Sequence, residues 1–192
     1  MPDPNPDAMA FLLNRRSRPA KTLELPVPTR AELAPILTAA ARSPDHGKLE
    51  PWRFVVLERG ALLRLAGLVD DCGARLGKTD EEIAKARSQF ADSHLAVAVI
   101  EVQKPSEKIP AIEQSYSAGA VCLALLNAAL ASGWGANWLS GWSSHDRAWA
   151  EAALGIADHE RIAGLIHLGT ERVTPPERPR PDLETITSWV TE

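Results

Sequence analysis

The run "HLAVAVIEV", residues 94–102, is apolar at almost every position. That is the pattern of a central strand buried on both faces, not of a strand with one wet side. "WRFVVLE" (52–58) reads as a second strand from its β-branched and aromatic content. "RIAGLIHLG" (161–169) is a third candidate, and "GWGANWLSG" (133–141) leads from a helix into an aromatic-rich strand or loop. Between these lie segments of helical spacing. "AMAFLLNRR" (8–16) sets Met9, Leu12 and Leu13 on one side, with Asp7 as its cap. Thr29 and Glu32 form a capping box ahead of Leu33, Ile36, Leu37, Ala40 and Ala41, and Pro35 predicts a late start or a bend. Mixed-charge helices are predicted over 60–76 and 79–90, outside the core. Residues 112–132, "SAGAVCLALLNAALAS" at their heart, are too long for a strand; Glu113, Gln114 and Asn127 argue for a buried core helix over a membrane span. Ser143 and Asp146 form a second cap signal before "RAWAEAAL", which Gly155 stops. The sum is α+β: several helices, one of them central, around four or five strands.

The ends have a different texture. Residues 1–6, "MPDPNP", read as a flexible lead, and residues 170–192 as an extended tail too rich in proline to form a core element. The tail nevertheless finishes with Ile186, Trp189 and Val190, which gain little by staying in water. With 192 residues, no internal repeat and no linker, a single domain is expected. A net charge of -4 offers no general attraction for nucleic acid or an anionic membrane. The start lacks the basic and apolar regions of a signal peptide, and the expectation is a cytoplasmic protein. Cys72 and Cys122 make no disulfide framework, although they could pair; Cys122, in an apolar run, reads as a buried thiol.

Chemistry has few places to sit. "RRSR" (15–18) offers guanidinium forks and a hydroxyl where a helix gives way to loop, which suits a phosphate. A basic helix end compensating the macrodipole explains the same residues, and both readings stand. The turn 45–48 puts His46 and Lys48 near Arg42 between two core elements; by themselves these are ordinary solvated residues. No metal-ligand spacing, nucleophile elbow, P-loop or dinucleotide fingerprint is present. Phosphate donors and six tryptophans without an acid–base constellation suggest that a bound cofactor performs the chemistry.

In order and with sensible spacing, "RRSRPAKTL", "AAARSPDHGKLEPWRFVVL", "SAGAVCLALLNAALASGWGANWLSG" and "IAGLIHLGT" resemble the nitroreductase family, in particular its small single-domain bacterial members. The resemblance implies an α+β fold with a central, mainly antiparallel sheet surrounded by helices. It implies a homodimer with FMN sites at the subunit interface, and NADH or NADPH as electron donor. The implied reaction is a two-electron, ping-pong hydride transfer to nitroaromatic, quinone or related acceptors, with no catalytic side chain required. The alternative is a non-enzymatic flavin-binding or flavin-storage dimer.

Carried over residue by residue, Arg15, Arg16 and Ser17 grip the FMN phosphate and ribityl end. Arg42 and His46 reach the FMN held mainly by the partner. Trp138, Leu139 and Ser140 run beside the isoalloxazine ring, and Gly141 permits close approach. Ala128, Ala129, Leu130, Ala131, Ser132 and Gly133 match a segment associated with nicotinamide-nucleotide binding. Leu139 stands where similar proteins often carry arginine. A phosphate role for Arg178 or Arg180 is left open, and the tail is expected to pack on the partner subunit.

Overall fold

The computed structural model describes residues 3–192. Five strands form one sheet: β1 (Leu23–Glu24), β2 (Trp52–Glu58), β3 (Leu95–Val102), β4 (Gly135–Leu139) and β5 (Glu160–Glu171). β5 pairs with β1, β3 and β4, and β3 passes the sheet on to β2. Every pairing is antiparallel. β3 is buried along its whole length, as its largely apolar run requires, and the one carboxylate in it, Glu101, pairs with Arg161. Its alternating side chains serve two cores: Ala96, Ala98, Ile100 and Val102 face one, and Leu95, Val97 and Val99 the other.

Helices cover both faces. On the first lie α3 (Arg59–Arg75), α4 (Asp80–Ala91) and α7 (Arg147–Leu154), with the one-turn α6 (Trp142–His145) beside them. On the second lie α2 (Arg30–Ala40) and the 21-residue α5 (Ala111–Ala131). The mixed charge of α3 is misleading. Leu62, Leu65, Ala66, Val69 and Cys72 lie within one stripe and are buried, so this helix belongs to the core and not outside it. α4 is the shallower of the pair, burying Ala86 and Phe90.

α5 needs the opposite correction. Ala118, Val121, Cys122, Leu125 and Ala129 pack on the sheet, whereas Ile112, Tyr116 and Leu123 are exposed in the single chain. Its length and hydropathy would cross a membrane, but its buried side is part of the second core.

Local signals explain most of the boundaries. The Thr29–Glu32 capping box is formed, and α2 runs unbroken through Pro35 despite the lost backbone donor. Asp146 caps α7 by accepting from the Trp149 N–H, and Gly155 closes it in the left-handed conformation. At α1 (Pro6–Asn14) the cap is Asn5, two residues earlier than Asp7, because Pro6 suits the first helical position. The lead is therefore shorter than 1–6; Met1 and Pro2 lie outside the described residues. "PAKTLELPVP" forms a 3₁₀ turn at Ala20–Thr22 and the short β1. At the other end β5 continues to Glu171, so the tail starts two residues later than expected, and it contains the one-turn α8 (Leu183–Ile186). Cys72 and Cys122 are buried and unpaired, on different faces of the sheet.

Candidate functional site

The chain leaving α1 runs beside the start of β4. The Arg18 N–H donates to the Ala136 carbonyl at 2.8 Å, and the Asn137 amide donates to the Arg18 carbonyl at 2.7 Å. Arg18 also pairs with Glu171 at the end of β5, Nε to Oε2 at 3.0 Å. The third arginine of the basic cluster, Arg18, is thus a structural tie. It anchors the segment so that Arg15, Arg16 and Ser17 face outward together.

Those three line a cavity of about 540 Å³ with Arg178 and Arg180 from the tail. Arg180 donates to the Leu13 carbonyl at 3.2 Å, Arg16 donates to the Pro176 carbonyl, and the tail is thereby laid across the end of α1. Arg15 donates to Ser17 Oγ at 3.2 Å, but its Nε is buried with no partner. Burial, then the charges of Arg180 and Arg16, push the Arg15 guanidinium below its ordinary pKa. Four arginines converge here; Glu177 pairs with Arg180 at 3.1 Å, and Glu171, paired with Arg18, lines the adjoining cavity with Arg15 and Arg16. An orphaned donor inside a group of like charges calls for an anion.

The 128–133 segment divides. Leu130 and Gly133 line a neighbouring cavity of about 330 Å³ with Arg15, Arg16 and Arg18. Ala129 is spent in the core, with Ala128 packed against it, while Ala131 and Ser132 are exposed at the helix end. Gly133 carries a positive φ of 84°, which releases the chain from α5 into β4.

Strand alternation separates Trp138 from Leu139. The Trp138 indole lies over Gly164 of β5, where a Cβ would overlap its Nε1, and the ring remains partly exposed. Leu139 points to the other side of the sheet and lines a cavity of about 290 Å³ with Ala20, Lys21, Lys85, Gln89 and Asn137. Ser140 is exposed. A Cβ on Gly141 would meet Gln89 Oε1 at 3.9 Å and nothing nearer, so packing within the chain does not demand glycine there.

Lys21, Lys85, Gln89 and Asn137 are absent from the residues carried over by resemblance. A signal for the α4 pair exists in the sequence: Lys85, Ser88, Gln89 and Asp92 recur at helical spacing and form one polar stripe. Behind this cavity Ser93 Oγ contacts Nδ1 of the buried His167 at 2.8 Å, while His167 Nε2 has no partner. Burial lowers the His167 pKa to about 4, so the imidazole stays neutral.

The turn after α2 stands apart from these cavities. His46 Nδ1 lies 2.6 Å from Oε2 of Glu113 on α5, and Arg42 is exposed. The turn is held in shape: Asp45 Oδ2 accepts from the Glu50 N–H at 2.7 Å, and Lys48 and Glu50 sit at positive φ. Strain of this kind persists where the surroundings over-determine a conformation. Among the described residues no cluster of His, Cys, Asp and Glu could hold a metal ion.

Comparison with known proteins bears on the fold and the family. The Nitroreductase family model matches residues 12–170. The protein named "Putative NAD(P)H nitroreductase YdjA" from Escherichia coli (strain K12) is 35% identical over 167 residues, covering 87% of this chain and 90% of that one. The crystal structure of a nitroreductase-like family protein from Bacillus cereus superposes with a TM-score of 0.79 at 21% identity, over 100% of both chains. An FMN-dependent nitroreductase from Clostridium difficile R20291 gives 0.71 at 17%, over 96% of this chain and 99% of its own. Fold, ordered motifs and sequence agree over most of the length, and the chain belongs to the nitroreductase family.

Proposed function

We propose that this protein is an FMN-dependent oxidoreductase that takes electrons from NADH or NADPH and passes two at a time to a small acceptor, such as a nitroaromatic or a quinone, in a ping-pong sequence. The observation that carries the reading is the arginine group around Arg15. A single phosphate there would partner the buried Nε of Arg15, accept from Arg16 and the Ser17 hydroxyl, and offset the mutual repulsion of Arg15, Arg16 and Arg180. The residues present therefore fit the phosphate of FMN. One phosphate site at the arginine group favours FMN over FAD.

Bound FMN supplies hydride exchange with a nicotinamide and with an acceptor. The chain's part is to bind, orient and shield. Arg15, Arg16 and Ser17 hold the phosphate end, with Arg178 and Arg180 drawn in by the tail. Arg18 and Asn137 lock that segment onto β4, and Trp138, Leu139, Ser140 and Gly141 would flank the ring end. Donor and acceptor share one approach and take turns, which supports ping-pong kinetics. The named activities of the relatives from Escherichia coli and Clostridium difficile support the same reading.

The second element is a homodimer with shared sites. Ile112, Tyr116 and Leu123 on α5, Met9, Leu12 and Leu13 on α1, and Ile186, Trp189 and Val190 in the tail are exposed apolar side chains that a second subunit would cover. In such a dimer the strained 45–50 turn would carry His46 and Arg42 toward the partner's flavin.

Anaerobic titration tests the enzyme reading: the yellow holoprotein should release about one FMN per chain on heating, and NADH or NADPH should bleach it. Protein that holds FMN but resists bleaching would be a flavin store; protein that binds no flavin would overturn the proposal. Sedimentation of full-length chain and of a variant ending at Pro181 tests the dimer, with flavin loss expected on monomerisation. A monomer that retains its FMN would reject the shared site.

A further inference from the structure

His167 is buried on β5 and takes no part in the reaction proposed above. In register it lies opposite Ala96 of β3 and Asn137 of β4. Residues directly opposite one another share a face of a sheet. The imidazole is therefore on the face of Asn137 and Leu139, which carries the cavity of about 290 Å³. The cofactor reading gives that cavity to the flavin ring. Ser93, whose hydroxyl meets His167, lines it as well.

The hydrogen bonds decide which ring nitrogen carries the proton. Ser93 Oγ lies 2.6 Å from the Gln89 carbonyl and 2.8 Å from His167 Nδ1. A carbonyl only accepts, and a hydroxyl has one proton to give. That proton goes to Gln89, so Ser93 accepts from the N–H at Nδ1. The lone pair of the neutral imidazole is then at Nε2, the buried atom without a partner. One line of donation runs out of the sheet, from His167 to Ser93 to the Gln89 carbonyl, and into the last turn of α4.

That turn forms a wall of the cavity through Ser88, Gln89 and Asp92. α4 is held near its start by Ile83 against Gly73 of α3. At its end Phe90 packs on Trp149, and Arg59 of α3 donates to the carbonyls of Ala91 and Ser93, the latter at 2.7 Å. Of the polar contacts at this end, those of Arg59 come from a helix and that of His167 comes from the sheet. The sheet also carries the opposite wall, Asn137 and Leu139. The His167–Ser93 contact thus ties the two walls together.

We propose that His167 is a positioning residue for the flavin ring: by donating to Ser93 it fixes the last turn of α4 against β4 and β5, and so sets the slot in which the ring lies. The inference rests on the FMN reading and deepens it. His167 acts through Ser93 and is not a catalytic residue.

The test uses full-length protein, stripped of flavin and titrated with FMN, and the visible spectrum of the reloaded protein. His167→Leu removes the donor. His167→Asn keeps one, because asparagine Nδ2 and histidine Nδ1 are both bonded to Cγ. Leucine should weaken FMN binding roughly three- to tenfold, the worth of one hydrogen bond, and blur the fine structure of the flavin band. Asparagine should return both to within about twofold of wild type. Ser93→Ala should match His167→Leu, and the double variant should lose little more than either single one, because the two residues form one contact. The urea midpoint of stripped His167→Leu should stay near that of wild type, since leucine also removes the partnerless lone pair.

Unchanged FMN affinity and band shape in His167→Leu overturn the inference. So does failure of asparagine to restore them, which would reduce the imidazole to a matter of volume. Additive losses in the double variant, or FMN losses that follow a lowered urea midpoint in every variant, overturn it too. Wild-type protein that binds no FMN overturns the cofactor reading and this inference together. Full FMN binding with none of these effects overturns this inference alone.

Discussion

Replacing Arg15 with alanine should separate function from stability, leaving the ligand-free protein nearly unchanged while flavin affinity falls. In the free chain Arg15 is an uneasy residue. Its Nε is buried without a partner, and Arg16 and Arg180 lie close enough to push its pKa down. An orphaned buried donor costs about 1–3 kcal/mol. Against that stand the bond to Ser17 at 3.2 Å, worth about 1 kcal/mol, and the position at the C-cap of α1, where a cation gains roughly 0.3–1 kcal/mol from the helix dipole. The two sides nearly cancel, so the ligand-free variant should unfold within about 1 kcal/mol of wild type in urea. FMN affinity should behave otherwise. A charge-assisted bond to phosphate contributes about 1.5–3 kcal/mol, a loss of roughly 10- to 150-fold in Kd. Fluorescence titration of FMN into stripped protein measures that loss, and urea melts of the same samples measure stability. Two results would refute the reasoning. A Kd within about twofold of wild type would remove Arg15 from the site, since even one weak bond is worth more than that. Destabilisation of the ligand-free protein by more than about 2 kcal/mol would make Arg15 a structural residue whose donor is satisfied.

Other expectations are sharper in sign than in size. His167 is held neutral with its pKa lowered to about 4 by burial, while the unfolded chain titrates near 6.5. Its contribution is intact above pH 6.5 and is lost as pH falls toward 4, up to about 3 kcal/mol; His167→Gln should flatten urea stability across that window, and an unchanged slope would reject the assignment. Gly164→Ala should displace the Trp138 indole, shift tryptophan emission and destabilise by about 1–3 kcal/mol through overpacking; an unaltered spectrum and melt would show that β5 yields freely. Burial raises the Cys122 thiol to about 12, and Cys72 is raised by burial and by Asp146, so neither should react with Ellman's reagent until the protein unfolds. Rapid native labelling of either would contradict the described packing.

Much of this protein was determined locally. The run at 94–102 reads as a strand with two dry faces, because all of its side chains but His94 and Glu101 prefer to leave water. Thr29–Glu32 and Gly155 set helix ends through bonds that reach only three or four residues. Asn5 was missed because Pro6 decided the start of α1, a local effect given too little weight. The four ordered motifs were enough to indicate the family, and Arg15, Arg16 and Ser17 do face one cavity. Burial was less legible. The charges of α3 conceal a core stripe, and α5 is apolar all round although only one side packs on the sheet of its own chain.

The site depended on chain crossings that no local pattern encodes. Arg178 and Arg180 reach the arginine group because the tail folds back across α1, more than 160 residues away in sequence. Arg18 looked like part of a phosphate grip, yet Glu171 at the end of β5 claims it. Lys21, Lys85 and Leu139 share a wall only because α4 lies over β4. A side chain's type limits what it can bind; its neighbours in space decide whether it is free to do so.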